Sequence, residues 1–284
     1  MADFACSETL VANRRRATCA DRPARIAGRV LVCLAAALGL VVVCGSAADA
    51  APLDEAAAQF KPCLVEWIAQ SSAEAAKLRD RIAAQDLAGA QQAWLAGRGG
   101  WEAAEVATSE LFPDLDRAID AWPDAEAGFH AIEAKLFGAH RVDALPEAET
   151  LVTNLREFDL RLRDAAITPQ LLLDGVTKLA FEIGESKADG GESQFSGNSL
   201  AEVGYNVAGI TAAWERVFAP AVEASDAERA ATLRGTLDRL HAIVAVPVLA
   251  SLDADALRTL SEELAATLRK AAPEIGLAPP TLEN

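Results

Sequence analysis

Leu151, Leu155, Phe158 and Leu162 recur at i, i+4, i+7 and i+11. A stripe of that period can be buried only on a helix, where residues three and four apart share one face. The pattern returns along the chain as Phe60, Leu64, Ile68 and Leu78, then Leu172, Val176, Leu179 and Ile183. It appears again as Leu233, Leu237 and Leu240, and as Leu257, Leu260, Leu264 and Leu268. Alternating strand patterns are missing, and the whole protein has a single tyrosine. Ala, Leu and Glu, all strong helix formers, fill the segments between. The chain therefore reads as all-α: an up-and-down helix bundle of seven or eight helices, or two bundles packed together.

Local signals divide this pattern. The first helix is expected over about Leu53 to Ala84, with Pro62 inside it as a place to bend. A second is expected from about Ala88 to Leu111, with Trp94 and Trp101 one heptad apart and Gly99-Gly100 marking a kink or a functional need. Asp114 to Ala121 reads as a short acidic turn or helix. Pro123-Asp124 opens a helix that carries His130 and stops at Gly138. Pro146 and Thr168-Pro169 open two more. A polar loop covers Lys187 to Asn198. Ser199-Leu200-Ala201-Glu202 and Ser225-Asp226-Ala227-Glu228 read as capping boxes. Pro247 ends or bends the helix of Leu240, and the tail from Pro273 reads as loose.

The N-terminal 50 residues read as an export signal. Arg14 to Arg16, Arg22, Arg25 and Arg29 precede the apolar run Val30 to Val43, and Ala48-Asp49-Ala50 is an A-x-A cleavage site. The run is short for a membrane span. Cys44 offers a lipidation alternative, the one route by which the protein would meet a membrane. This makes residues 1–50 a cleaved signal peptide, residues 51–284 the folded domain, and the location periplasmic or extracytoplasmic. Cleavage leaves Cys63 as the sole cysteine, so the processed chain is expected to hold no intramolecular disulfide. It also moves the formal charge from −16 to about −18. So acidic a surface excludes nucleic acid as a partner and tolerates cations.

The chemistry gathers in one stretch. Gly128-Phe129-His130-Ala131-Ile132-Glu133 places one of three histidines three residues before a glutamate. On a helix those two side chains lie together. Phe129, Ile132 and Leu136 form one apolar stripe, and His130, Glu133 and Phe137 the next, so the imidazole and carboxylate border the core. A half-buried glutamate needs a partner, and a cation supplies one. Glu102 and Glu105 repeat the i, i+3 spacing just after Trp101, and Asp114, Asp116 and Asp120 follow. Carboxylates with one imidazole suit iron, manganese or zinc, and no thiolate is on offer for a structural zinc site. The plainer reading makes the glutamate pair a solvated face and the aspartates turn and capping residues. His140 reads as unremarkable and His241, beside Leu240, as a packed histidine.

These pieces together resemble the imelysin-like family, whose mark is a G-x-H-x-x-E helix. The branch that is similar contains the periplasmic iron-uptake proteins of the EfeO/EfeM type, in the short form without a cupredoxin domain. The likeness rests on Trp101-Glu102-Ala103-Ala104-Glu105, Asp114-Leu115-Asp116-Arg117-Ala118-Ile119-Asp120 and Gly128 to Glu133, in that order. Glu185-Ser186-Lys187, the loop around Glu192 and Asn206-Val207-Ala208-Gly209 are similar to a second block. The resemblance implies two four-helix bundles packed together, with a metal site in the first. Its ligands would be Glu102, Glu105, Asp120, His130 and Glu133. The spacing sets Asp116 against Asp120, and Ala131 stands where iron-uptake members carry Arg.

The implied function is capture of iron, as Fe2+ or Fe3+, for a membrane permease, with a peroxidase-like partner implied by the same family. Zinc or another divalent cation is the alternative cargo. A metallopeptidase of the imelysin type is the enzymatic alternative, although neither H-E-x-x-H nor H-x-x-E-H occurs. Acidic polysaccharide binding is a further one, which the strong negative charge disfavours unless a cation bridges.

Overall fold

The computed structural model describes residues 47–122, 126–191 and 193–282, with side chains from residue 52 onward. The expected signal peptide with Cys44, the Pro123-Asp124 helix start and Glu192 lie outside these residues. Every regular element among the described residues is helical. In order they are α1 (Ala47–Ala83), α2 (Leu87–Ala104), α3 (Thr108–Leu111), α4 (Pro113–Asp120), α5 (Gly128–Glu133) and α6 (Leu145–Asp164). Then come α7 (Pro169–Glu182), α8 (Ser199–Ala213), α9 (Ala219–Ser225), α10 (Ala227–Val244) and α11 (Ala254–Ala271). Three π-helical turns prolong α5, α7 and α8: Ala134–Gly138, Ile183–Lys187 and Trp214–Phe218.

The helices form two packed groups within one compact unit. In the first, α1 lies along α2 and α6, and the broken pair α4 and α5 closes the remaining side against α6. In the second, α7, α8, α10 and α11 pack around a common core. Helix α2 leans on α8, so the two groups meet where α2 ends. The stripes read from the sequence face inward. Leu151, Leu155, Phe158 and Leu162 are all buried, as are Leu233, Leu237, Leu240, Leu257, Leu264 and Leu268. Each such side chain contributes about 1.5–3 kcal/mol relative to an exposed one.

Several local expectations are corrected. Helix α2 runs without a break through Gly99 and Gly100. A Cβ on Gly100 would lie 2.4 Å from the Trp67 carbonyl oxygen, so the glycine lets α1 and α2 approach closely. The second helix ends at Ala104 rather than Leu111, and α3 follows as a separate turn. Ser199 and Glu202 form no capping box: Asn198 occupies the cap position, and both side chains bond elsewhere. At α10 the cap is Asp226, which accepts from the Arg229 N–H, not Ser225. His241 is exposed and pairs with the Thr211 hydroxyl. The tail is held rather than loose: Gln170 exchanges hydrogen bonds with Ala278, Arg269 donates to the Pro280 carbonyl, and Pro280 is buried. In the full chain Cys63 is disulfide-bonded; the single unpaired thiol was an expectation for the chain after cleavage.

Candidate metal centre

Gly128 starts α5 with φ +77°, a backbone region that costs L side chains energy. A Cβ there would also meet the Ile119 carbonyl oxygen at 2.2 Å. Glycine is thus what lets the start of α5 press against the end of α4, next to Asp120. Two indoles on one face of α2 hold this junction. Trp94 Nε1 donates to the Phe129 carbonyl at 2.9 Å, and Trp101 Nε1 donates to Asp120 Oδ2 at 2.7 Å. The heptad of tryptophans therefore fixes both helices that carry the site.

Glu102, Glu105 and Asp120 each offer an oxygen within 4.8 Å of the others'. Glu102 is wholly buried in the last turn of α2, and Glu105 is half-buried just beyond it. His130 joins through Asp120: its Nε2 lies 3.3 Å from Asp120 Oδ1. Glu133 stands behind the imidazole, with Oε2 3.4 Å from His130 Nδ1. Its Oε1 accepts from the backbone N–H groups of Phe195 and Ser196 at 3.2 and 2.8 Å. The five residues are thus a compact acidic triad, an imidazole at its edge and a carboxylate holding the imidazole. Asp116 is not one of the three clustered acids, and burial pushes its carboxyl up to about 6.

Internal cations thread the cluster. Arg98 is completely buried and pairs with Glu102, Asp120 and Glu202, while its guanidinium also lies over the rings of Phe129 and Trp94. Lys187, at the end of the π turn after α7, sets its ammonium 2.9 Å from both Glu102 Oε2 and Glu105 Oε2. Asn206 of α8 donates to the same two oxygens at 2.8 Å. It can do so because Gly209 brings α8 against α2: a Cβ at Gly209 would lie 2.3 Å from the Ala103 carbonyl oxygen. Glu202 is held by Arg98, by the Ser193 hydroxyl and by the Asn198 amide.

The charges are therefore compensated by neighbouring side chains. Burial would raise the Glu102 carboxyl, but Arg98 and Lys187 hold it below its ordinary value. Burial would raise Asp120 too, and the Arg98 charge with the His130 contact keeps it well below the carboxylate range. Burial resists charge on His130, yet its contacts with Asp120 and Glu133 raise it to about 9. For Glu133, burial is outweighed by His130 and Ser196, and its pKa falls. Five carboxylates thus face Arg98, Lys187 and an imidazolium, an excess of negative charge in a buried place. Oxygen donors with one imidazole fit a hard or borderline cation.

Arg98, Lys187, Glu202 and Asn206 were not singled out as site residues from the sequence. Arg98 had a readable signal: four residues after Trp94 and three before Trp101, it lies on the buried face of α2, where a charge requires a partner. Glu202 was hidden by its capping-box spacing. Lys187 and Asn206 lay in the second family block without a role.

Comparison with known proteins gives the family of the chain. The chain is 28% identical over 191 residues to the iron uptake system component EfeM of Pseudomonas syringae pv. syringae, covering 63% of this chain and 66% of that protein. It is 30% identical over 188 residues to the iron uptake system component EfeO of Escherichia coli K12, covering 60% and 50%. An Efem/EfeO family lipoprotein of Staphylococcus haemolyticus is 28% identical over 174 residues, covering 57% and 60%. The chain thus spans about half to two thirds of the length of these relatives. Its fold is similar to the crystal structure of a protein described as an iron-regulated protein A precursor from Parabacteroides distasonis. There the TM-score is 0.60 at 18% identity, over 82% of this chain and 97% of that one. The imelysin family model matches residues 56–275, and the chain belongs to that family.

Proposed function

We propose that this protein is an extracytoplasmic iron-binding protein that captures the ion and hands it to a membrane permease. Residues 1–50 serve as the export signal and residues 51–284 as the working domain. The observation that carries the reading is the convergence of Glu102, Glu105 and Asp120 beside His130. Relatives named as iron uptake components add support. Among the described residues no helix is long and apolar enough to cross a membrane.

In this reading the three acids supply oxygen ligands and His130 supplies nitrogen through Nε2. Glu133, expected from the sequence as a fifth ligand, is assigned instead to the imidazole, whose Nδ1 it faces at 3.4 Å, the arrangement that orients metal-binding histidines. The loop N–H groups of Phe195 and Ser196 fix Glu133 in turn. Iron, as Fe2+ or Fe3+, is the cargo, coordinated on capture and released without a change in its oxidation state. The ligands must lose protons to bind, so acidification favours release. A peroxidase-like partner belongs to the same reading by family resemblance.

Iron content after purification from iron-supplemented cells tests this. Wild type is expected to carry about one iron per chain, with His130→Ala and Asp120→Asn carrying at most about a tenth of that. Equal loading of wild type and both variants would end the proposal.

A further inference from the structure

The acidic triad is already occupied by a cation that belongs to the protein. The Lys187 ammonium touches Glu102 and Glu105 at 2.9 Å each, with its side chain only 4% exposed. It therefore stands at the oxygens an incoming ion would need. The two resident cations are not held alike. Arg98 emerges from the middle of α2 and is gripped by three carboxylates and two aromatic rings, with no exposed surface. It has no way out short of unfolding. Lys187 ends a five-residue π turn at the start of the segment leading to α8. Its stem is flexible and unbranched, and one turn earlier stands Glu182, a partly exposed carboxylate 3.8 Å from the Lys178 ammonium.

We propose that Lys187 is a resident counter-ion and that metal capture is an exchange: the incoming cation takes the Glu102 and Glu105 oxygens, and the ammonium moves outward toward Glu182 and solvent. This inference rests on the cation site proposed above and adds its regulation. In the metal-free state the ammonium compensates two of the five carboxylates, Glu102 and Glu105. It also sets a threshold, because an ion must outbid an ammonium for two carboxylates before it is held. A monovalent cation of equal charge gains nothing by the swap, whereas a divalent or trivalent one does. Lys187 thereby selects for charge.

The test uses the full chain and Fe2+ as the probe, under anaerobic conditions. Lys187 acetylation by a water-soluble amine-acylating reagent is followed by peptide mass spectrometry, with and without saturating Fe2+. The exchange requires Lys187 labelling to rise at least about tenfold on loading, while Lys61, Lys77 and Lys270 change little. Removing the competitor in Lys187→Met is expected to tighten Fe2+ binding about tenfold. Lys187→Arg, whose planar fork grips two carboxylates more firmly, is expected to weaken it. Fe2+ binding by wild type with Lys187 equally labelled in both states overturns the exchange and leaves the cation site standing. Absence of Fe2+ binding in both wild type and Lys187→Met overturns the site and the exchange together.

Discussion

Arg98 shows most clearly what a single residue does here. It is a fully buried guanidinium whose three partners, Glu102, Asp120 and Glu202, come from α2, α4 and α8. Deleting the charge while keeping the volume leaves those carboxylates buried against each other. Arg98→Met is therefore expected to lose about 3–5 kcal/mol of folding stability, read as a lower denaturation midpoint in urea. The same variant should stiffen again when the pH is lowered enough to protonate the acids, which a simple packing defect would not do. In the wild type, His130 also favours low pH, and the carboxylates run the other way. Its folded-state pKa of about 9 lies above the ordinary 6.5, so its contribution is fully present below pH 6.5 and is lost as the pH rises through 9. Glu102, Asp120 and Glu133 have lowered values, so theirs is present above about pH 4.5 and is lost on acidification. Metal-free protein should thus melt progressively lower between pH 6.5 and 9.5, and His130→Gln should flatten that decline. A wild-type melting temperature that does not fall across that range would refute the imidazolium assignment.

The elements divide into those that periodicity reveals and those it cannot. Long helices such as α6, α10 and α11 were legible because their burial depends only on a repeating apolar face. The stretch from Glu105 to Asp120 was not, because α3 and α4 are too short to show a period and are held by tertiary contacts. Residue type and spacing make the proximity legible: Glu102, Glu105, Asp120, His130 and Glu133 lie in one connected group, and whether they hold a metal is a proposal. Lys187 and Asn206 reach it from the π turn after α7 and from α8, more than 80 residues beyond the glutamates they touch, a distance no local pattern spans. The glycines carry a testable contrast. Gly128→Ala would meet both a positive φ and the Ile119 carbonyl, and is expected to cost about 1–3 kcal/mol or more and to weaken iron binding. Gly235, in α10, has nothing within 4 Å of where its Cβ would sit, so Gly235→Ala should stabilise by about 0.5–1 kcal/mol and leave binding unchanged. Thermal melts of the two variants beside wild type separate the cases.

At the scale of the whole molecule, the centre is shared. The first helix group supplies the acids and the imidazole; the second supplies Lys187, Asn206 and Glu202 through α7 and α8. The buried charges therefore tie the groups to one another. A sequence of repeating apolar stripes specifies the groups, while close helix approach at Gly209 and Gly100 specifies how near their charged faces come.

X-ray absorption of the full chain loaded anaerobically with one equivalent of Fe2+ tests this central claim most directly. The account expects an iron surrounded by oxygen atoms with the outer-shell scattering of a single imidazole, and loss of that imidazole signature in His130→Gln. Iron bound with no imidazole contribution in wild type, or with the same contribution in the variant, would contradict it.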